Sequence, residues 1–257
     1  MTGRVALDFI GHSSVVVGLD GVRLLTDPVT RARVGPLRRV QPVPARDRLR
    51  DIDAVLISHL HWDHLDVPSL RDLGHDVPII VPAGGGPWLS GVGFGDVREL
   101  AVGGETSVGS VIVRGVPAVH SGYRPPLGPT APPLGFVVRG SRTVYFAGDT
   151  DLFDGMGQIA SPGEPIDVAL LPVWGWGPML GRGRHLDPLR AAEALRLIRP
   201  RAAVPIHWGT YWPHALGRVF PARLVEPPAA FAEYAAELAP GVRTIPTAVG
   251  DAVRWEE

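Results

Sequence analysis

The 257-residue chain predicts an α+β fold in which two β-sheets lie face to face with helices on the outer faces. Three observations predict it. Apolar runs of strand length come first as a block, then a helix or two, then more strands, then helix–strand alternation. Each half holds a strand set followed by helices, so both outer faces of such a sandwich are covered. The residues able to carry chemistry each follow a strand, so all of them can gather at one rim. No tandem repeat interrupts the pattern, and residues 1–257 read as a single domain.

Val5 to Ile10, Ser14 to Leu19 and Val22 to Leu25 are three short strands, with Asp20-Gly21 as a hairpin signal between the last two. Gly11-His12 sits at the first bend, and Thr26-Asp27-Pro28 closes the third strand. Pro28 to Arg50 carries four prolines and seven arginines without periodicity. It is expected as a long loop, either a substrate wall or lid or a solvated connector.

Ala54 to Ile57 is a buried strand, and it runs into Ser58-His59-Leu60-His61-Trp62-Asp63-His64-Leu65-Asp66. His59 and His61 are two apart, so extended backbone points both imidazoles one way. Asp63 and His64 follow as the chain turns toward a helix near Pro68 to Leu73, and they can face a second ion. Imidazole nitrogen mixed with carboxylate oxygen suits zinc, iron or manganese better than calcium or magnesium.

Pro78 to Val81 is a strand, and Gly84-Gly85-Gly86 reads as a strand-to-helix turn before Pro87-Trp88-Leu89, since no lysine follows to make a phosphate loop. Thr106 to Val108 and Val111 to Val116 form a hairpin, after which His120 is placed as a further ligand. Leu134 to Arg139 and Thr143 to Ala147 pair and end at Asp149, the candidate bridging carboxylate. After the strand Asp167 to Val173 come Trp174-Gly175-Trp176-Gly177 and His185-Leu186-Asp187-Pro188. Asp187 is an N-cap with Pro188 at the first helical position, and Leu189, Ala192, Leu195 and Ile198 give the buried stripe. The strand Ala203 to Ile206 ends in His207. Pro228 to Leu238 is a last helix, and Val242 to Thr244 and Ala252 to Trp255 close the chain.

Composition narrows the function. The net charge is −1 and no basic patch stands out, so nucleic acid is not an expected partner. There is no cysteine, which removes disulfides, thiol catalysis and thiolate metal sites. No run approaches the ~20 apolar residues of a membrane span, and no signal peptide is legible at the N-terminus. The expectation is a cytoplasmic protein acting on a small molecule; homo-oligomerisation is left open.

The motifs His59-x-His61-x-Asp63-His64, His120, Asp149 and His207, in that order, resemble the metallo-β-lactamase superfamily. Gly11-His12-Ser13-Ser14, Thr26-Asp27-Pro28, His120-Ser121-Gly122, Phe146-Ala147-Gly148-Asp149-Thr150, His185-Leu186-Asp187-Pro188 and Ile206-His207-Trp208-Gly209-Thr210 resemble one branch of it. That branch holds N-acylphosphatidylethanolamine-hydrolysing phospholipase D and ascorbate-6-phosphate lactonase. The resemblance implies a four-layer αββα sandwich with two metal ions between the sheet edges. It implies that His59, His61 and His120 hold the first ion, that Asp63, His64 and His207 hold the second, and that Asp149 bridges. It places His185 beside the substrate and His12 and Asp27 close to the ligands or the pocket. The phospholipase has an N-terminal extension and apolar surface for reaching membranes. This chain starts almost at its first strand, which leaves open whether membrane lipids are substrates.

The leading expectation is therefore a binuclear hydrolase, with zinc, or else manganese or iron, in which a hydroxide shared by the ions attacks a phosphodiester. Asp63 and Asp149 hold the metals. His185, just before a helix N-terminus that favours anions, binds phosphate or protonates the leaving group, imidazole being the side chain that titrates nearest neutrality. Trp174 and Trp176 are candidates to line an apolar pocket, with Trp62, Trp208 and Trp212 either beside them or in the core. Arg124 is a candidate anion contact. A lactonase acting on a sugar phosphate is the alternative enzyme. A di-iron redox protein fits less well, because His61 stands where that class has an acid. A non-catalytic metal-binding protein would have no use for seven metal-directed groups.

Overall fold

The computed structural model describes residues 4–160, 163–176, 181–214 and 219–256. Two seven-stranded sheets form its centre. The first has the order β17-β1-β2-β3-β6-β7-β8, built from β1 (Arg4–Gly11), β2 (Ser14–Leu19), β3 (Val22–Thr26), β6 (Ala54–Leu56), β7 (Ile79–Pro82), β8 (Val97–Leu100) and β17 (Ala252–Glu256). The second has the order β16-β14-β13-β12-β11-β10-β9. Its strands are β9 (Glu105–Val108), β10 (Val111–Pro117), β11 (Leu134–Arg139), β12 (Thr143–Phe146), β13 (Val168–Pro172), β14 (Ala202–Ile206) and β16 (Arg243–Thr244).

Alternation sorts the side chains between layers. Leu7, Phe9, Val17 and Leu24 of the first sheet meet Val113, Phe136, Val144 and Leu170 of the second in one buried cluster. The opposite faces bury against helices. Val55, Ile57, Ile79 and Val81 pack with Leu70 and Leu89 from the helices Val67–Leu73 and Gly86–Gly91. Tyr145, Ala169 and Leu171 pack with Leu195, Ile198 and Phe231 from Pro188–Ile198 and Pro227–Leu238. The four layers are thus helix, sheet, sheet, helix, as the sequence predicts.

Strand direction decides where the chemistry collects. β1 runs antiparallel to β2, and β2 to β3, while β3 and β6 are parallel. The C-terminal ends of β1, β3 and β6, which lead to His12, Asp27 and His59, therefore share one edge. In the second sheet β10 is antiparallel to β11 and β11 to β12, and β12, β13 and β14 are parallel. The ends leading to His120, Asp149 and His207 share an edge too.

The structure corrects some local readings. Pro28–Arg50 is not a plain loop: it holds β4 (Arg33–Val34), β5 (Leu37–Arg39) and a 3-10 turn at Arg46–Leu49. β5 pairs with β15 (Tyr211–Pro213) to make a third, small sheet. Its partner lies far along the chain, and Val29, Val34 and Tyr211 supply its buried cluster, so local periodicity carries no sign of it. β8 also escapes the sequence reading, because three of its four residues are not fully buried and show no alternation. In the helix Pro188–Ile198, Ala191 and Ala194 are buried, whereas Leu189 is only half-buried. The glycine turn at 84–86 behaves as read: Gly84 and Gly86 both donate N–H bonds to Glu99 Oε1, at 2.8 and 2.7 Å, so a carboxylate of the chain itself occupies the place an anion would take.

Candidate metal centre

The loop after β6 is held from below by Asp27. This fully buried carboxylate accepts the Ser58 N–H at 2.7 Å on Oδ1 and the Ser58 hydroxyl at 2.6 Å on Oδ2. His64 Nδ1–H donates to Oδ2 at 2.7 Å. Because the Ser58 hydroxyl donates to Asp27, its lone pair accepts from His59 Nδ1–H at 3.0 Å. One carboxylate thereby fixes the tautomers of two imidazoles and leaves the Nε2 of each facing inward, as second contacts do for metal-binding histidines. Asp66 ends the loop as N-cap of the following helix and is gripped by Arg31 Nε and Nη2 at 2.8 and 2.6 Å.

Two donor sets result. In the first, His59 Nε2 lies 3.0 Å and His120 Nε2 3.1 Å from His61 Nδ1. His120 Nδ1–H is committed to the Arg184 carbonyl at 2.8 Å, so its Nε2 is a lone pair, as is that of His59. Two acceptor lone pairs converging on one ring nitrogen fit a divalent cation better than they fit one another. Asp63, His64 and His207 form the second set, and His12 stands beside them, with ligand atoms of all four within 4.8 Å of one another.

Asp149 stands between the sets. Its Oδ2 is 3.1 Å from His64 Nε2 and 3.9 Å from both His59 Nε2 and His120 Nε2, and its Oδ1 is 3.3 Å from His207 Nε2. Despite this proximity, His64 Nε2, His207 Nε2 and Asp149 Oδ1 are buried without an aligned hydrogen-bond partner. Orphaned buried polar atoms call for a reason, and this donor set fits a cation held among them. Gly148 makes the approach feasible: at φ +60°, a Cβ there would press on Ser58, 2.7 Å from its Oγ.

Electrostatics prepare the same donors. Burial, aided by neighbouring imidazoles, pushes the protonation of His59 and His207 well below the usual histidine value. Burial likewise lowers His61 and takes His120 down to about 4. For Asp63, burial favours the neutral acid, but the His12 hydrogen bond and the charges of His64 and His12 outweigh it. For Asp149, His207, His64 and His185 outweigh burial in the same way. Both carboxyls end well below the ordinary range. Neutral imidazoles beside ionised carboxylates are the protonation state a metal requires. His64 is the exception: burial opposes its charge, yet Asp149 and Asp27 raise it well above its usual value. A cation at Nε2 would take the place of that proton.

The remaining candidates sort by contact. His185 is buried with Nε2 3.0 Å from Asp149 Oδ2, and its Nδ1 has no partner. The Trp174 ring lies 6.2 Å from His207, 5.7 Å from Trp176 and 5.9 Å from Trp212, while Trp176 stacks on Trp212 at 5.8 Å. Trp174 and Trp212 are buried and Trp176 is half-buried; Gly177 lies outside the described residues. Trp62 and Trp208 pack on apolar clusters. Arg124 has a role beyond the sequence reading: its Nη1 donates to the Leu60 and Leu65 carbonyls at 2.6 and 2.9 Å, and its guanidinium lies 4.7 Å over Trp88. These contacts brace the loop that carries His61, Asp63 and His64. Sequence reasoning gave no role to Ser58 or to Arg39, whose buried guanidinium holds the Ile10 and Val29 carbonyls at 2.6 and 3.2 Å. Ser58 has a signal in its place between strand and first histidine; Arg39 has none.

The chain is similar to known proteins over most of its length. A family model described as "Beta-lactamase superfamily domain" matches residues 22–208. An N-acyl-phosphatidylethanolamine-hydrolyzing phospholipase D of Caenorhabditis elegans is 33% identical over 226 residues, covering 79% of this chain and 63% of that protein. The chain thus spans under two thirds of the length of that relative. A UPF0173 metal-dependent hydrolase of Methanopyrus kandleri is 33% identical over 213 residues, covering 80% of this chain and 85% of the relative. Among solved structures, Igni18, a metallo hydrolase from the archaeon Ignicoccus hospitalis, superposes with a TM-score of 0.77 at 26% identity, over 99% of both chains. No helix among the described residues is long and apolar enough to cross a membrane.

Proposed function

The chain belongs to the beta-lactamase superfamily and is a metal-dependent hydrolase, and from that premise we propose that its centre is binuclear and hydrolyses a phosphodiester. The observation that carries the binuclear reading is Asp149, one carboxylate in reach of both donor sets. His59, His61 and His120 would hold one ion; Asp63, His64 and His207 would hold the other. Zinc fits the nitrogen and oxygen donors best, with manganese and iron next. When bound, such a pair supplies Lewis-acid stabilisation and makes hydroxide available at neutral pH.

The chain's own residues do the rest. Asp149, ionised and buried, sets the distance between the two donor sets and accepts from His185 Nε2–H at 3.0 Å. That bond sets the His185 ring beside the carboxylate shared by the two donor sets. In this reading the ring, carrying hydrogen on both nitrogens, donates a hydrogen bond to the phosphate or hands a proton to the leaving oxygen. Trp176, at the half-buried end of the indole group, contacts the apolar part of the substrate, and Trp174 backs it next to His207. The phosphodiester assignment draws on the relative named as a phospholipase D.

The test is hydrolysis of bis-p-nitrophenyl phosphate against simple lactones, each with and without chelator, by protein of measured metal content. Chelator-sensitive phosphodiester cleavage with two metal equivalents per chain supports the proposal. Turnover of lactones alone would replace the substrate class, and one equivalent would end the binuclear reading.

A further inference from the structure

We propose that His12 is a positioning residue for the Asp63/His64/His207 half of the centre, its Nε2–H holding Asp63 while its backbone holds His207. The inference rests on the binuclear reading above. His12 is 2% exposed, and its Nε2 lies 3.2 Å from Asp63 Oδ2. An ionised carboxylate only accepts, so Nε2 carries the hydrogen. The nitrogen nearest the donor set is thereby spent on orienting Asp63 and is not itself a metal donor. Asp63 needs this support. Its side chain is 27% exposed, and His12 supplies the one side-chain hydrogen bond assigned to it among the described residues.

The backbone of His12 has a separate task. Its N–H donates to Thr210 Oγ1 at 2.6 Å, and its carbonyl accepts the His207 N–H at 2.7 Å. These bonds tie the β1–β2 turn of one sheet to the end of β14 in the other. Both His12 and His207 hold positive φ, 56° and 59°, a left-handed conformation that is sterically costly for a non-glycine residue. Such strain persists where the surroundings over-determine it and concentrates at functional sites. The His12 ring also lies 4.0 Å from that of His207 and meets Tyr211 edge-on at 5.5 Å, which fixes its plane. A side-chain replacement leaves the backbone bonds in place, so the two tasks are separable by experiment.

His12→Asn tolerates positive φ but is too short to bring an N–H to Asp63, whereas His12→Gln places an amide N–H near the position of Nε2. Full-length wild type and both variants are stripped, and zinc affinity is measured for each equivalent by competition with a chromophoric chelator. Cobalt(II) spectra report the geometry, and thermal unfolding of the metal-free proteins reports folding. Loss of an outer hydrogen bond to a ligand lowers metal affinity by about 10–100-fold. The expected result is that loss at one equivalent in His12→Asn, an altered cobalt spectrum, near-wild-type affinity in His12→Gln, and unchanged metal-free unfolding in both. Unchanged affinity at both equivalents in His12→Asn overturns the proposal, as does equal weakening of both or failure of His12→Gln to rescue. If wild type binds a single equivalent, the binuclear reading fails by itself; the role of His12 then stands or falls on whether that equivalent weakens.

Discussion

Asp27→Asn should weaken metal binding at the His64 side by about 10–100-fold without unfolding the protein. The substitution preserves shape, and Asn accepts the φ of +33° at this position. What changes is the hydrogen-bond inventory of a fully buried group. In one amide orientation, the carbonyl still accepts the Ser58 N–H, but the NH2 then faces His64 Nδ1. His64 must move its proton to Nε2, the atom needed for a metal. In the other orientation the carbonyl still serves His64 and the Ser58 hydroxyl, but the NH2 opposes the Ser58 N–H, now 2.7 Å from Asp27 Oδ1. Either way a buried hydrogen bond is broken or a proton is forced onto the wrong nitrogen, which costs about 1–3 kcal/mol. At ~1.4 kcal/mol per decade, that cost corresponds to the expected loss in affinity. The His59 side is reached only through Ser58 and should lose less. Competition titration of zinc against a chelator at pH 7 measures both. A folded Asp27→Asn protein with wild-type affinity at both equivalents would falsify the claim that this carboxylate sets the ligand tautomers.

Three further expectations follow from the same contacts. Gly148→Ala, at φ +60° with a Cβ pressed on Ser58, should destabilise the protein by about 2–4 kcal/mol through left-handed strain and overpacking, read as a lowered denaturation midpoint; a neutral result would refute the close approach of the two loops. Arg124→Lys cannot keep both the carbonyl grip and the contact with Trp88, so metal retention and stability should fall while KM for an anionic substrate stays unchanged; a raised KM with intact metal content would make Arg124 an anion contact. Metal-free protein should lose stability as pH falls from about 6.5 toward 4. The depressed histidines, His120 at about 4 among them, stay neutral in the fold but take protons when unfolded, so their contribution is present above ~6.5 and is lost on acidification. His120 alone sets an upper bound of about 3.4 kcal/mol at ~1.36 kcal/mol per unit. Below ~3.9 the loss of Asp63 and Asp149 ionisation adds to it. His64 has the opposite sign, contributing below ~6.5 and fading as pH rises through its raised value. Urea unfolding of chelator-treated protein across this range checks the direction, and stability that rises toward pH 4 would refute it.

The sequence by itself determined most strands of the two large sheets, the rim and the chemical cast. Alternation and apolar runs are local, so Val5 to Leu19, Ala54 to Ile57 and Ala203 to Ile206 declare themselves, and each histidine or aspartate that follows them is placed at a strand end. Only the tertiary structure decided which of these groups meet, because meeting depends on strand direction and on partners far apart in the chain. The bond from His12 to Thr210 spans 198 positions, and the strand inside Pro28–Arg50 exists because Tyr211–Pro213 pairs with it. Arg124 is legible as a cation but not as a brace, since the carbonyls it holds belong to another loop. A residue type announces what a side chain is able to do; the hydrogen bond that spends it on one task is a property of the folded neighbourhood.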